Sequence, residues 1–302
     1  TEESIAKWRL GYAPAGWNNL SGYLISKGYS AQEILKAGLC LKSAKTSNYF
    51  DRFRERIIFP IASLGSEIIG FGGRIFKEKP RFDGGDEAKY INSPATLLYD
   101  KSRVLYGLNH AVSAIRKEEG CILVEGYMDA IMSSQSGVEN VVATSGTALT
   151  PYQLKILKRY TENLYTAFDM DLAGNSATKR GIDLAQEAEF NIKIVSLPGK
   201  DPADVALENP ALLKDLVQKA KTIHEFYFEN ALNKFDKNTP EGKKNISKSI
   251  LPVIRKIPNR IEQAVWIKSL SEAIGVAETY ILAELNKIAL GIPEPVPAAA
   301  ES

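Results

Sequence analysis

Six acidic residues lie at the end of, or just after, apolar runs of the sequence. They form three groups, namely Glu125 with Asp129, Asp169 with Asp171, and Asp201 with Asp204. Carboxylates that converge on one cleft repel one another unless cations are bound. Oxygen ligands without His or Cys nearby favour Mg²⁺, with Mn²⁺ as a substitute, over zinc. We therefore predict a site for two or more divalent ions that serves phosphoryl transfer.

A single acidic residue in such a position has an ordinary explanation, because Asp at the start of a helix usually caps it. Asp129 taken alone therefore says little about function. The pair Asp169 and Asp171 says more, because side chains two residues apart in an extended segment point to the same side. Three acidic groups after three apolar runs favour a functional site over three unrelated caps.

The elements that must position these carboxylates alternate between helices and apolar strands from about residue 108. Strands are predicted at 121–125, 139–144, 163–169 and 191–197, and helices end near 119 and lie at 127–135, 151–160 and 173–189. Apolar strands linked by helices are typical of a parallel sheet covered on both faces. The carboxyl ends of such strands form the ligand crevice, and all three acidic groups fall there.

The segments on either side have different patterns. Before the alternation, 56–63 and 67–76 predict a β-hairpin, 31–37 a helix that ends at Gly38, and 76–86 an exposed charged loop. After it, helical spacing at 211–233, 241–257, 259–274 and 278–290 predicts a small bundle, followed by a Pro/Ala-rich disordered tail. The predicted fold class is α/β, with an α+β lobe first and a helical bundle last.

Charge and cysteine content narrow the possible classes of protein. The net charge of +2 hides a division, since residues 42–103 hold 12 Lys/Arg against 8 Asp/Glu, whereas 104–205 hold 9 against 13. A basic lobe thus precedes an acidic one, which alone is weak evidence for nucleic-acid binding. Cys40 and Cys121 lack the spacing of zinc ligands, so we expect neither zinc nor a disulfide scaffold in this chain. With no long apolar run or leader, we expect a cytoplasmic protein without membrane contact.

Two sets of motifs carry a family resemblance. Glu125-Gly-Tyr-Met-Asp129, Asp169-Met-Asp-Leu-Ala-Gly174 and Gly199-Lys-Asp-Pro-Ala-Asp204 resemble the toprim domain, which primases share with topoisomerases, some nucleases and recombination proteins. Upstream, four motifs resemble the N-terminal lobe of DnaG-type bacterial primases: Leu10-Gly-Tyr-Ala-Pro-Ala-Gly-Trp17, Asp51-Arg-Phe-Arg-Glu-Arg-Ile-Ile-Phe-Pro-Ile61, Ile69-Gly-Phe-Gly-Gly-Arg74 and Lys89-Tyr-Ile-Asn-Ser-Pro94. The upstream set selects the primase catalytic core among toprim proteins.

The resemblance implies a DNA-templated RNA polymerase core that makes short RNA primers on single-stranded DNA for replication. It implies that Asp169, Asp171 and either Asp201 or Asp204 hold the metals, with the choice between the last two left open. Glu125 and Asp129 would act in catalysis or organise the metal site. Template, primer or nucleotide would meet a set of cationic and polar residues, namely Arg74, Lys89, Tyr90, Asn92, Lys101, Arg52 and Arg56. Arg52 and Arg56 have an equal alternative, which is pairing with Asp51 and Glu55.

The same resemblance suggests domains and partners. Residues 1–106 would form the basic lobe, 107–209 the toprim domain, 210–290 the helical bundle and 291–302 the tail. The partners would be single-stranded DNA, RNA primer and ribonucleoside triphosphates, with the replicative helicase and single-strand-binding protein reached at the replisome through the full-length protein. We expect an excised core that lacks the zinc-binding module and the helicase-binding domain.

Two other functions fit parts of the pattern. A toprim nuclease would use the same acidic edge to hydrolyse DNA. A noncatalytic single-strand-binding or scaffold module would keep the basic lobe without polymerase activity.

Overall fold

A computed structural model describes residues 1–43, 48–76, 88–146, 148–167, 176–198 and 201–288, with the backbone alone for 176–179. Asp169, Asp171, the predicted tail and nearly all of the predicted loop at 76–86 lie outside the described residues. The chain divides into two compact units, one up to Ala220 and one from Lys221 onward. Among the described residues, no helix is long and apolar enough to cross a membrane.

The first unit begins with an antiparallel sheet and short helices. The helices are α1 (Glu2–Lys7), α2 (Asn19–Ser26) and α3 (Ala31–Lys36), and the sheet has the order β1 (Gly11–Ala13), β4 (Arg56–Ala62), β5 (Ile68–Ile75), β6 (Tyr90–Asn92). A separate small hairpin joins β2 (Cys40–Lys42) to β3 (Tyr49–Asp51). The predicted β4–β5 hairpin is confirmed, as is α3, which Ser30 caps and which ends before Gly38 at φ 73°.

A parallel sheet follows in the same unit. Its strands are β7 (Cys121–Val124), β8 (Val141–Ala143), β9 (Asn163–Thr166) and β10 (Asn191–Ile194), in the order β10-β9-β7-β8. The helices around it are α4 (Leu108–Lys117), α5 (Tyr127–Gln135), α6 (Pro151–Leu157), α7 (Ser176–Glu187), α8 (Pro202–Glu208) and α9 (Pro210–Gln218). The predicted α/β class is confirmed, and the chain changes direction across the sheet between β7 and β9, the kind of point where crevices form.

One hydrophobic core joins the two sheets of the first unit. Phe59 and Ile61 of β4 pack in the same cluster as Ile122 and Val124 of β7, with Tyr127 of α5 among them. These side chains are all no more than 2% exposed. The antiparallel sheet therefore has a fixed position relative to the carboxyl end of β7.

The second unit is helical and has its own core. After the short strand β11 (Lys221–Thr222) come α10 (Ile223–Lys234), α11 (Pro240–Arg255), α12 (Arg260–Ile274) and α13 (Glu278–Lys287), packed around residues such as Ile246, Ile250 and Leu270. The sequence predicts one helix over 211–233, but the chain forms α9 and α10. The break arises because Thr222 caps α10 in a reciprocal capping box with Glu225. Leu213 of α9 packs in the core of the first unit, one helix beyond the predicted boundary at residue 210.

Candidate active site

Glu125 and Asp129 lie where the parallel sheet was expected to bind its ligand. Glu125 directly follows β7 and is exposed, and Asp129 lies in the first turn of α5. The Asp129 carboxylate accepts a hydrogen bond from the Gly126 N–H at 2.9 Å, which closes a capping arrangement at the start of α5. The capping role and a functional role coexist, because one carboxylate has several lone pairs.

Asp201 and Asp204 have different surroundings, which separates two residues that the sequence left equivalent. Asp201 precedes α8 and caps it by accepting a hydrogen bond from the Asp204 N–H at 2.8 Å. The charge of Asp201 also raises the pKa of Asp129 and the pKa of Tyr90. The side chains of Asp201 and Asp204 are both exposed, but Asp204 lies one turn into α8 and is not among the charges that raise the pKa of Asp129. The structure therefore favours Asp201 over Asp204 as the member of the acidic group.

Asp129 is the carboxylate of this group whose pKa is raised by the other two. Burial is the largest influence that raises its pKa, to about 6, and the charges of Asp201 and Glu125 push it the same way. Hydrogen bonds from the N–H groups of Gly126 and Ala203 lower the pKa and only partly oppose these effects. Asp129 thus lies close enough to Asp201 and to Glu125 to be repelled by each, and a bound cation would relieve that repulsion.

The acidic group seen here forms only part of the predicted metal site. Among the residues that the structure describes, no three His, Cys, Asp or Glu side chains converge closely enough to hold a metal ion. Asp169 and Asp171, which complete the prediction, lie outside the described residues. Carboxylate oxygens such as those of Glu125, Asp129 and Asp201 are the donor type that a hard divalent ion such as Mg²⁺ prefers, but these three alone do not converge on one ion.

The raised pKa of Asp129 predicts a pH-dependent effect on stability. The unfolded carboxyl titrates near 3.8 and the folded one near 6. The folded state therefore prefers the protonated form, and this stabilisation is complete below pH 3.8 and lost as the pH rises through 6. In EDTA at pH 8, Asp129→Asn should raise the free energy of unfolding by on the order of 3 kcal/mol, and the gain should vanish near pH 4.

Urea denaturation of both proteins at the two pH values measures this effect. Asp204→Asn is the matched control, because it removes an exposed charge from α8, the helix that packs against α5, and should change little. Equal stabilities of wild type and Asp129→Asn at pH 8 would show that Asp129 carries no electrostatic strain.

One face of the antiparallel sheet brings the predicted nucleotide-binding residues towards these carboxylates. Arg74 pairs with Tyr90, and Gly72 pairs with Asn92, so these four residues share a face of β5 and β6. The Arg74 guanidinium lies 6.0 Å from the centre of the Tyr90 ring. Burial raises the pKa of Tyr90, Arg74 lowers it, and Asp129 and Asp201 raise it further. Tyr90 is therefore within electrostatic reach of both the cation and the acidic group.

Lys101 and Asn92 both contact the loop that follows β8. The Lys101 ammonium donates to the Gly146 carbonyl at 3.1 Å, and burial lowers its pKa. The Asn92 amide donates to the Ser145 carbonyl at 3.2 Å. Lys89, next to Tyr90, has an exposed side chain that is open to a ligand. Among the predicted residues, Lys89 and Tyr90 are thus exposed, whereas Asn92 and Lys101 are hydrogen-bonded to the chain itself.

Arg56 requires a correction. It is 2% exposed, and its guanidinium donates to the carbonyls of Gly73, Ala88 and Lys89 at 3.1–3.4 Å. Because a buried guanidinium that binds three carbonyls holds the backbone, we remove Arg56 from the nucleic-acid residues. Arg52 is partly buried, and burial lowers its pKa, so it is a weaker candidate than the sequence suggested.

Sequence reasoning missed an aromatic platform in the N-terminal lobe. Trp17 is 61% exposed, and the Arg54 guanidinium lies 4.4 Å from the centre of its ring. Phe50 meets Trp17 edge to face at 5.6 Å and is also within 5.3 Å of Arg54. The available signal was a Trp in the Pro/Gly-containing segment 14–17, which has no regular pattern that would bury a large ring.

Comparisons with known proteins identify the family of this chain. Three family models match: DNA primase catalytic core, N-terminal domain, over residues 1–112; Toprim-like, over 122–206; and DnaB-helicase binding domain of primase, over 224–279. A DNA primase domain from Pseudomonas aeruginosa has 32% sequence identity and a TM-score of 0.76, with 94% of this chain and 88% of that one covered. The chain belongs to the family of DnaG-type bacterial DNA primase catalytic cores.

Other DnaG relatives show the same likeness. The RNA polymerase domain of Mycobacterium tuberculosis primase DnaG, solved with a double-stranded DNA oligomer carrying a 6-nucleotide overhang, has 30% identity and a TM-score of 0.77, with coverage of 92% of this chain and 87% of that one. The DNA primase of Clostridium acetobutylicum is 38% identical over 283 residues, which are 93% of this chain and 46% of the relative. The chain therefore spans less than half the length of that curated relative.

The match to the primase family corrects one expectation. We predicted that the chain lacks a helicase-binding domain, but the DnaB-helicase binding domain model matches residues 224–279, which lie in the second unit. The bundle was recognised as helical from its spacing, but the pattern of apolar residues carries no information about the partner that a helical bundle binds.

Proposed function

We propose that the chain is a polymerase core that synthesises RNA primers on single-stranded DNA by Mg²⁺-dependent nucleotidyl transfer. The observation that carries the proposal is the position of Tyr90. Its ring lies beside Arg74, and its hydroxyl is within electrostatic reach of Asp129 and Asp201. A cationic and aromatic face thus meets an acidic edge, as a site for a triphosphate and divalent cations requires.

The metal-binding residues in this proposal are Glu125, Asp169, Asp171 and Asp201, with Asp129 beside them. When bound there, Mg²⁺ or Mn²⁺ would neutralise the triphosphate and favour the ionised form of the attacking hydroxyl. Arg74 and Lys89 bind phosphate oxygens, and Tyr90 offers its ring to a base or ribose. Positioned in this way, the 3′-hydroxyl of the primer attacks the α-phosphate of the incoming ribonucleotide, and pyrophosphate leaves.

The aromatic platform supplies a place for the template strand. Trp17 presents a wide exposed ring, and Arg54 stacked on it adds positive charge for the phosphate backbone. Bases of any sequence stack on such a surface, because each has a π-face. A template strand held by stacking can move by one base per addition without losing its contacts.

Removal of this ring should weaken template binding. We expect Trp17→Ala to lower the affinity for a single-stranded oligonucleotide about tenfold, since stacking on an aromatic side chain contributes about 1–3 kcal/mol per base. Fluorescence anisotropy at fixed salt measures the change. Tyr29→Ala is the control, because Tyr29 is 53% exposed in the same lobe. An equal loss for both variants would show that Trp17 has no special role.

One assay tests the proposed function against its rivals. The chain is incubated with single-stranded template, labelled ribonucleotides and Mg²⁺ or Mn²⁺. New oligoribonucleotide supports the polymerase, degraded template supports a toprim nuclease, and a retarded template without either product supports a binding module. We further propose that residues 224–279 contact the replicative helicase, which co-sedimentation with that helicase would test.

A further inference from the structure

Tyr127 is the first residue of α5 and lies between Glu125 and Asp129 in sequence. Its ring stacks on Phe59 at 5.0 Å between centres and 10° between planes, and Tyr106 meets it edge-on at 4.6 Å. The backbone of Gly72 closes the third side, since a Cβ there would lie 2.5 Å from the ring. The ring is 2% exposed and is held in one orientation.

The Tyr127 hydroxyl connects α5 to β6. It donates a hydrogen bond to Asn92 Oδ1 at 2.7 Å, and Asn92 Nδ2 donates to the Ser145 carbonyl at 3.2 Å. A carbonyl partner accepts only, so the orientation of the Asn92 amide is determined. Both ends of this amide are therefore used within the protein, which differs from the ligand contact that the sequence predicted for Asn92.

The Ser145 loop is in turn bound to the end of β7. The Thr144 N–H donates to the Val124 carbonyl at 3.1 Å, and the Gly146 N–H donates to the Glu125 carbonyl at 3.3 Å. Ser145 has a φ of 57°, a left-handed conformation that a residue with a Cβ adopts at some cost. Three elements thus meet at Asn92: β6 with Tyr90, the start of α5 with Asp129, and the loop that holds Glu125 by its carbonyl.

We propose that Tyr127 and Asn92 form a positioning pair, which fixes the face that carries Arg74 and Tyr90 relative to the carboxylates Glu125 and Asp129. The inference rests on the proposed polymerase function. Neither side chain touches the nucleotide in this role. Their hydrogen bond sets the distance between the bound triphosphate and the acidic group, and misplacement by about 1 Å can lower a rate by about 100-fold.

Tyr127→Phe is the direct test, because it keeps the stacked ring and removes only the hydroxyl, which donates to Asn92 and also interacts with the Ser145 side chain. We expect kcat for ribonucleotide addition to fall about tenfold, with KM for the nucleotide and the affinity for template each within about twofold of wild type. Tyr106→Phe is the matched control. It removes the same atom from the neighbouring ring, and the Tyr106 hydroxyl has no hydrogen-bond partner among the described residues, so its kinetics should match wild type.

Asn92→Ala and the double variant complete the experiment. If the two residues act as a unit, Asn92→Ala also lowers kcat, and the double variant is no slower than the slower single variant. A Tyr127→Phe enzyme with wild-type kcat overturns the proposal. So does an Asn92→Ala enzyme whose KM alone rises, which would make Asn92 a nucleotide contact. An inactive wild type refutes the proposed function itself and the pair with it, whereas an active wild type with an equally active Tyr127→Phe refutes only the pair.

Discussion

Asp201→Asn is expected to lower the rate of primer synthesis by about 100-fold at saturating Mg²⁺, which is the usual scale for removal of one preorganised electrostatic group. Asn keeps an oxygen that can accept the Asp204 N–H, so the start of α8 should stay capped. The variant loses the negative charge that raises the pKa of Asp129 and of Tyr90. Single-turnover extension of a primed template, together with the melting temperature, separates this effect from unfolding.

Asp204→Asn provides the comparison for this experiment. It makes the same chemical change three residues away, on a side chain that is equally exposed but does not act on Asp129 or Tyr90, and its rate should stay within about twofold of wild type. The reverse result, with a slow Asp204→Asn enzyme and a nearly normal Asp201→Asn enzyme, would assign the metal-binding role to Asp204. The two isosteric variants therefore decide a question that spacing along the sequence left open.

Elements with a strong periodic pattern could be predicted from the sequence. The helix at 127–135 was predicted with the bounds that α5 has, because Tyr127, Ala130 and Ile131 form an apolar face and Gly126 interrupts the pattern before it. The apolar run from Cys121 to Val124 is fully buried, as expected for a central parallel strand. The predicted strand ends at Glu125 and β7 ends at Val124. The sequence therefore predicted correctly that Glu125 lies at the carboxyl end of this strand.

Contacts between distant segments could not be predicted in this way. Asn92 and Tyr127 are 35 residues apart, and nothing in the local pattern of either indicates their hydrogen bond. Arg56 opens a β-rich run in a charged segment and was expected at the surface. It is buried because three backbone carbonyls, from β5 and from residues 88 and 89, converge on its guanidinium. Pairing with nearby acidic residues was the only alternative that local sequence suggested.

The difference between Asp201 and Asp204 also depends on contacts between segments that are distant in sequence. Both residues fit the start of a helix, and both could face a cleft. Our preference for Asp201 rests on the hydrogen bond by which it caps α8 and on the effect of its charge on Asp129 in the neighbouring helix α5. Tertiary packing, rather than spacing, thus makes Asp201 the carboxylate that we propose as functional.

Gly72→Val is expected to lower the free energy of unfolding by about 3 kcal/mol, at the upper end of the usual range for overpacking a core. The strand around Gly72 is extended and accepts any side chain by conformation alone. The obstacle is Tyr127, whose Cε2 and Cζ atoms would lie 2.5 Å from a new Cβ. This ring has Phe59 stacked on it and Tyr106 against its edge, so it has no free direction in which to move.

Gly11→Val separates overpacking from the general effect of a β-branched residue in this sheet. Gly11 lies in β1, and a Cβ there would find only the Ile58 Cβ, at the ordinary contact distance of 3.9 Å. That variant should be neutral or slightly stabilising in the same urea titration. Any folded Gly72→Val protein should also synthesise primers poorly, because a displaced Tyr127 would take the start of α5, and Asp129 with it, away from the face that carries Arg74. Equal stability of the two variants would mean that the sheets are not held against each other at this ring.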